Sequence, residues 1–419
     1  MNREEIEIMA PAGSYDSLMA AIQGGADSVY FGAEQLNMRA ASSNNFIIED
    51  LQKIASICKK NGLKSYLTVN VVVFDNEILQ VKKIIDAAVE SGISAIIASD
   101  QSVINYAFSS GIEVHLSTQL NITNIETIKF YSQWADVAVL ARELNLDQIR
   151  YINDAIKEQN ITGPKGALMK IEMFAHGALC MAISGKCYLS LHENNKSANR
   201  GECHQTCRKS YIVTDKESGY KLEIDNEYIM SPKDLCTIGF LDKMLNAGVQ
   251  ILKIEGRARS AEYVKVVSSC YDEAVRTFFD GTYTREKIDD WIKRLSTVFN
   301  RGFWDGYYLG QIMGEWTTSY GSSATKRKLY LGKITNYFTR INVAEIKLEN
   351  GDITRGETIL ITGPTTGIIE FTVGEIRVDL QETDKAHKGE SCSVKISDFL
   401  RRSDKVYKWV DAGREKRPE

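Results

Sequence analysis

The sequence predicts an α/β fold: a TIM-like (β/α)8-type barrel with a cysteine-rich insertion, followed by a small C-terminal antiparallel β-barrel. Three observations carry this expectation. An amphipathic helix that ends at glycine and is followed within two or three residues by an apolar strand recurs through the first part of the chain, so the strands are parallel. Those strands are mixed Val, Ile and Leu runs, as in a sheet buried on both faces. Beyond residue 324 the pattern changes to alternating or β-branched segments, with Gly-Asp and Gly-Pro turns between some of them.

The first strand is expected at 7–10, and no Gly-x-Gly-x-x-Gly follows it, which argues against a dinucleotide fold. Gly25-Ala26-Asp27 precedes a strand at 28–31, and Gly62-Leu63 one at 64–70. Gly92-Ile93 and Gly111-Ile112 precede strands at 95–99 and 113–119. Between them, Leu51, Ile54, Ala55 and Cys58 have the spacing of one buried helix face, which makes Cys58 a packing residue. Strands at 136–141 and 171–176 bring the number to seven before the cysteines, which favours a closed barrel over an open sheet. Segments 228–234 and 251–257 compete for the last barrel strand, and the second, entered through Gly248, is preferred.

The barrel domain is expected over 1–316, with the insertion at 178–226 ending in a hairpin of 211–214 and 220–224. Ile288, Trp291, Ile292 and Leu295 mark a late helix, and the small polar stretch 317–323 a boundary. Strands at 329–334, 341–348, 357–362, 368–378 and 391–396 form the second domain, 324–400, and 401–419 is a basic tail. Cys236, Cys270 and Cys392 fall in helical or strand contexts and read as packing residues.

The 419 residues carry a net charge of -4, which argues against a generic nucleic-acid coat but leaves room for local basic surface, as at 186–209 and in the tail. A charged start, Met1-Asn2-Arg3-Glu4-Glu5, and an apolar stretch too short for a secretory signal predict a cytoplasmic protein. In a reducing compartment, clustered cysteines read as ligands or catalysts rather than disulfides. Cys180, Cys187, Cys203 and Cys207 have the spacing Cys-x6-Cys-x15-Cys-x3-Cys in a segment dense with turn residues, and predict one shared metal site. Spacing leaves zinc and an iron-sulfur cluster both open: zinc favours short paired knuckles, whereas a cuboidal cluster lets each cysteine reach a different iron. His204 reads as a neighbour of the site rather than a ligand.

At these residues the chain resembles a known family. The run Glu172-Met173-Phe174-Ala175-His176-Gly177-Ala178-Leu179-Cys180-Met181-Ala182-Ile183-Ser184-Gly185-Lys186-Cys187-Tyr188-Leu189-Ser190 is similar to the signature of the collagenase-like peptidase family of unassigned mechanism. Met9-Ala10-Pro11-Ala12-Gly13, His115-Leu116-Ser117-Thr118-Gln119, Arg142-Glu143-Leu144, Met230-Ser231-Pro232-Lys233-Asp234-Leu235 and Lys253-Ile254-Glu255-Gly256-Arg257 extend the likeness in order. The resemblance implies an oxygen-independent hydroxylase with a 4Fe-4S cluster on the four cysteines and prephenate as hydroxyl donor. Its branches act on tRNA, on ribosomal RNA or on the ubiquinone ring. Arg142-Glu143-Leu144, Ser231-Pro232-Lys233-Asp234-Leu235 and Arg208 look most like the branch that forms 5-hydroxyuridine at the tRNA wobble position, with Pro232 as a departure.

For a dicarboxylate such as prephenate, Arg142, Arg257 and Arg39 are the candidate binders, because a guanidinium grips carboxylate bidentately. The competing reading is salt bridges of Arg142 with Glu143 and of Arg257 with Glu255. His176 is a candidate general acid or base at the end of its strand, or a satisfied core histidine. Asn70 at a strand end, and His115, Ser117 and Gln119, which alternate along one strand, reach substrate if their face points inward. Glu172, Phe174 and His176 are expected to share a face. Lys233, Asp234, Lys253 and Glu255 add opposite charges at two strand ends, as site residues or as a structural network. The second domain looks like the small β-barrel of translation factors, and with Lys326-Arg327-Lys328 it would suit RNA binding. A peptidase finds no His-Glu-x-x-His and no Gly-x-Ser-x-Gly here.

Overall fold

The computed structural model describes residues 2–40, 45–212, 216–219, 230–312, 314–318 and 320–413. Strands β1 (Glu7–Pro11), β2 (Ser28–Gly32), β3 (Lys64–Val69), β4 (Ala95–Ala98), β5 (Glu113–Leu116), β6 (Val137–Val139) and β7 (Lys170–Gly177) pair in sequence order, all parallel. The short strand β8 (Asp234–Cys236) follows, and β9 (Ile251–Ile254) pairs in parallel with both β1 and β7. That double pairing closes an eight-stranded barrel, and it resolves the competition for the last strand in favour of 251–257. The rival segment contributes β8, which runs antiparallel to the end of β7 and carries β10 (Phe303–Trp304) on its other edge.

Helices α1 (Tyr15–Gln23), α2 (Leu51–Lys60), α3 (Ile78–Ser91), α4 (Gln101–Ser109), α5 (Ile125–Tyr131) and α6 (Leu146–Glu158) alternate with the strands. The starts of α1, α4, α5 and α6 are fixed by side-chain caps from Ser14, Asp100, Asn124 and Asn145. Gly92 ends α3 at φ 75, the left-handed turn expected of the recurring helix–glycine–strand pattern. Leu51, Ile54, Ala55 and Cys58 are all buried. After α7 (Leu189–Asn194) and α8 (Leu241–Asn246), the long α9 (Ala261–Phe279) and α10 (Arg285–Leu295) complete the outer layer. No described helix is long and apolar enough to cross a membrane.

The second domain contains β11 (Lys326–Phe338), β12 (Val343–Leu348), β13 (Ile353–Thr354), β14 (Thr358–Gly363), β15 (Gly367–Thr372), β16 (Ile376–Val378), β17 (Gln381–Thr383), β18 (Lys385–Ala386), β19 (Ser391–Lys395) and β20 (Lys405–Asp411). Eight of them form an antiparallel sheet in the order β15-β14-β20-β11-β12-β19-β16-β17, and β13 pairs with β18. The expected basic tail is therefore corrected in its first part. Residues 405–411 are β20, between β14 and β11, because Val406 is fully buried and Tyr407 and Trp409 pack on the barrel's core cluster. Residues 414–419, and the expected hairpin at 213–215 and 220–224, lie outside the described residues. The sheet leans on α1 and α9: Gln23 bonds both the carbonyl of Thr366 and the amide of Ile368, Lys265 donates to the carbonyl of Ile368, and Lys328 pairs with Glu262. Of the basic run, Lys326 and Arg327 are exposed and Lys328 faces the barrel.

One buried hydroxyl locks α9 to the strands. Tyr271 donates to the carbonyl of Ala175 at 2.7 Å and accepts from the amide of Thr237 at 3.1 Å. The same amide also donates to the Ala175 carbonyl at 3.1 Å, so Tyr271→Phe removes two buried hydrogen bonds without orphaning either backbone group, and it should cost about 1–3 kcal/mol in urea unfolding.

Candidate functional site

The loops at the carboxyl ends of the strands enclose a cavity of about 200 Å³. Its wall takes Tyr30 from β2, Arg39 from the β2–α2 connection, and Thr68 and Asn70 from the end of β3. Ser117 and Gln119 come from the end of β5, Arg142 from beyond β6, and Phe174 from β7. Lys253, Glu255, Arg257 and Arg259 follow along β9 and its loop. All four cysteines of the insertion, Cys180, Cys187, Cys203 and Cys207, line the same cavity. This is the mouth of the barrel where active sites of the fold lie.

The insertion is held onto the mouth by its arginines. Arg208 donates to the carbonyls of Leu179 and Pro232 and to the hydroxyl of Ser231. Pro232 is used there only through its carbonyl, so the sequence departure at this position leaves the contact intact. Arg200 reaches across to Glu77 and the carbonyl of Val72. Gly177 sits at φ 109 where β7 passes into the insertion, and a Cβ there would run into the carbonyl of Glu255.

Burial acts to push the Cys180 thiol up, yet Arg142, Arg39 and Arg208 more than offset it and hold that thiol below its ordinary value. Cys207 behaves oppositely: burial, reinforced by the other three cysteines, pushes it up to about 11 against the pull of Arg208. Among the described residues no three His, Cys, Asp or Glu side chains approach closely enough to ligate one ion. His204 is exposed and does not line the cavity.

The cavity is strongly cationic. Arg39, Arg142, Arg208, Lys253, Arg257, Arg259 and Arg301 line it, against Glu255 in the wall, Asp234 behind it and Glu172 below it. Seven cations face three carboxylates, an excess of four positive charges. Glu255 takes Arg39 at 2.9 Å, and Asp234 lies between Arg301 at 3.3 Å and Arg259 at 3.8 Å. The salt bridge with Glu255, the competing reading of Arg257, is not made. Arg257 instead donates to Asn37 and Thr68 at 3.0 and 2.9 Å, and burial brings its guanidinium down to about 10. Arg142 donates to Ser184 at 2.8 Å and lies over the Phe174 ring, with its Nε buried and unpartnered. Asn70 donates to Ser117 at 3.1 Å.

Several candidates fall elsewhere. Glu143 is exposed and does not line the cavity. Lys233 pairs with Glu315 at 2.7 Å outside it, and Asp234 acts on it only through the two arginines. His115 is wholly buried beneath the cavity floor, against Glu113 and Glu172.

For His176 the acid–base reading is corrected in favour of the core reading. A register shift between Phe174 and His176 breaks the alternation along β7, so Phe174 lines the cavity while His176 packs against Tyr263, Tyr271 and Phe303. Its expected face-sharing with Glu172 and Phe174 therefore fails, and burial with Arg259 nearby depresses its pKa to about 3. Arg259, Arg301, Asn37 and Thr68 are site residues the sequence reading missed. Arg259 carried one available signal, its place two residues after Arg257.

His176 has a folded-state pKa below its unfolded value, so its contribution is fully present above about pH 6.5 and is lost as pH falls toward about 3. The wild-type protein should lose about 1.4 kcal/mol per pH unit over that window through this group. His176→Phe should flatten that slope in denaturant unfolding measured between pH 6.5 and 4.

Residues 13–318 match peptidase family U32. A Collagenase of Porphyromonas gingivalis is 60% identical over 98% of this chain and 99% of its own length. The tRNA hydroxylation protein P1 of Bacillus subtilis is 30% identical over 88% of this chain and 86% of that protein. A 23S rRNA 5-hydroxycytidine synthase of Escherichia coli is 34% identical over 65% of this chain and 39% of that protein. The match runs through the barrel, the cavity and the cysteine insertion together, and the chain belongs to peptidase family U32.

Proposed function

We propose that this protein is an iron-sulfur-dependent, oxygen-independent RNA hydroxylase that forms 5-hydroxyuridine at the wobble uridine of tRNA, with prephenate as hydroxyl donor. The observation that carries the reading is the meeting of four cysteines and a surplus of cations in one cavity at the barrel mouth. Relatives named for hydroxylation of tRNA and synthesis of 5-hydroxycytidine in rRNA support the reaction class. A ribosomal RNA or a quinone precursor is the alternative substrate.

The donor set fits a 4Fe-4S cluster. Four thiols line the cavity, and one of them is already driven toward thiolate by three guanidinium groups. A single zinc ion would need all four sulfurs about 2.3 Å from one centre, whereas a cuboidal cluster lets each thiolate bind a different iron. Cys180, Cys187, Cys203 and Cys207 would hold the cluster, which when bound supplies one-electron chemistry. The excess of four positive charges would balance about two negative charges on such a cluster and two on a dicarboxylate.

The chain's own residues then have defined work. Arg257, buried and without a carboxylate partner among the described residues, would bind one carboxylate of prephenate, and the unpartnered Nε of Arg142 would donate to a second anionic group. Tyr30 and Phe174 supply ring faces to the cavity wall. Asp234 and Glu255 hold Arg301, Arg259 and Arg39 in place. A tRNA substrate would place the work in the cytoplasm and give the exposed Lys326 and Arg327 a phosphate backbone to meet.

The relatives named Collagenase favour a second reading, a peptidase. Its nucleophile would be Cys180, but among the described residues no histidine lines the cavity, and His176 is neutral and turned away into the packing beneath α9.

Protein purified without oxygen should carry about four iron and four sulfide per chain, and Cys180→Ala should lose them. Zinc alone would overturn the cluster. Deleting the gene should remove 5-hydroxyuridine from tRNA digests read by mass spectrometry. Arg257→Met should raise KM for prephenate roughly ten- to a hundredfold. Cleavage of collagen by the pure protein, abolished in Cys180→Ala, would favour the peptidase instead.

A further inference from the structure

A line of alternating charges descends through the barrel interior from the floor of the cavity. Lys253 lines the cavity and donates to Oε1 of Glu172 at 2.5 Å. Oε2 of Glu172 faces Nδ1 of His115 at 3.6 Å, and neither of these buried atoms has a hydrogen-bond partner. Nε2 of His115 contacts Glu113 at 3.0 Å, and Glu113 pairs with Lys165. Glu113 opens β5, and Lys165 is 58% exposed in the loop before β7, so the line ends in solvent at the barrel's opposite face.

The other groups around His115 do not explain this arrangement. The Tyr66 ring packs on the imidazole at 4.5 Å, but its hydroxyl is spent on Glu7, whose other oxygen takes Lys64. That second pairing is complete in itself. The His115–Glu172 contact, in contrast, is two orphaned polar atoms face to face, a small rotation short of a hydrogen bond. Both residues are 0% exposed, where an unpaired polar atom is costly. A purely structural ladder has no reason to leave that rung open.

We propose that His115 is a proton store for the cavity, passing its Nδ1 proton through Glu172 to Lys253, which presents it to the bound substrate. This rests on the cavity being the reaction site. When Lys253 gives one Nζ proton to a ligand atom, the Nδ1–H bond of His115 breaks and that proton joins Oε2 of Glu172. The carboxyl group turns and delivers it to the Lys253 amine, leaving a neutral His115 with its Nε2 proton toward Glu113. The return of one proton from the cavity reverses the path, and nothing is oxidised or reduced. Burial opposes a charged His115, but Glu113 and Glu172 outweigh it and raise its pKa, so the ring holds its second proton to higher pH than an ordinary histidine. In this scheme Lys253 is the catalytic residue, and His115 and Glu172 are positioning residues that act through it.

The first test needs no activity. In the nitrogen-15 imidazole spectrum of the full-length protein, the His115 signal, identified by its loss in His115→Gln, should titrate above the ordinary histidine range. Glu172→Gln should move that titration to lower pH, and Glu113→Gln provides the same reading if the first variant does not fold. A ring that is neutral at pH 7, or a titration that neither variant moves, overturns the store. The second test is tRNA hydroxylation. Lys253→Met should lower kcat about a hundredfold, and His115→Gln should lower kcat and abolish the alkaline limb of its pH profile while KM stays within about twofold. A lower kcat with the alkaline limb retained would mean a structural role only. Absence of hydroxylation in the wild type would refute the functional reading, and the titration would then decide the store by itself.

Discussion

The pairing of β9 with both β1 and β7 is the contact on which the rest depends, since it turns a sheet of seven parallel strands into a closed wall of eight. Closure leaves no free edge and forces the inward side chains of distant segments to share one interior. Lys253 of β9 thereby meets Glu172 of β7, and the loop that follows brings Arg257 against Asn37 and Thr68 from the other side of the ring. The same strand leads into Glu255, whose carbonyl crowds Gly177 at the root of the cysteine insertion. The metal-site candidate and the cationic wall are thus neighbours because one strand supports both.

A single irregularity sorts the chemistry along β7. The shift between Phe174 and His176 sends two residues that plain alternation would put on one face to opposite sides of the barrel wall. Phe174 gives the cavity a ring beneath Arg142, and His176 joins the aromatic layer under α9. The titratable ring within reach of the cavity is instead His115, one layer lower, where two carboxylates favour its charged form.

The cavity also shows how a crowded set of cations persists inside a fold. Burial and mutual repulsion act against Arg301 and Arg257, and the three carboxylates cover fewer than half of the seven positive groups. Such an excess is costly in a bare protein, and bound anions relieve it. An anion bound there would stabilise the fold through charge alone.

Much of this was legible in the chain. Glycine-capped helices followed by apolar strands imply parallel pairing through local backbone geometry, and four cysteines among turn residues imply a shared site through composition, since both signals are contained in short windows. Arg39, Arg142 and Arg257 were found because a dicarboxylate calls for guanidinium donors, and Lys253 because it sits near a strand end, where the fold puts its chemistry. What short windows do not contain is contact between remote segments. The β7 bulge, the absence of an Arg257–Glu255 pair, the burial of β20 in the second sheet and the open contact between His115 and Glu172 each depend on a partner between 43 and 189 positions away. The sequence by itself determined which elements form and which residues carry charge. Only closure of the barrel decided which of those charges face the cavity, because facing is a property of packed partners and not of any one segment.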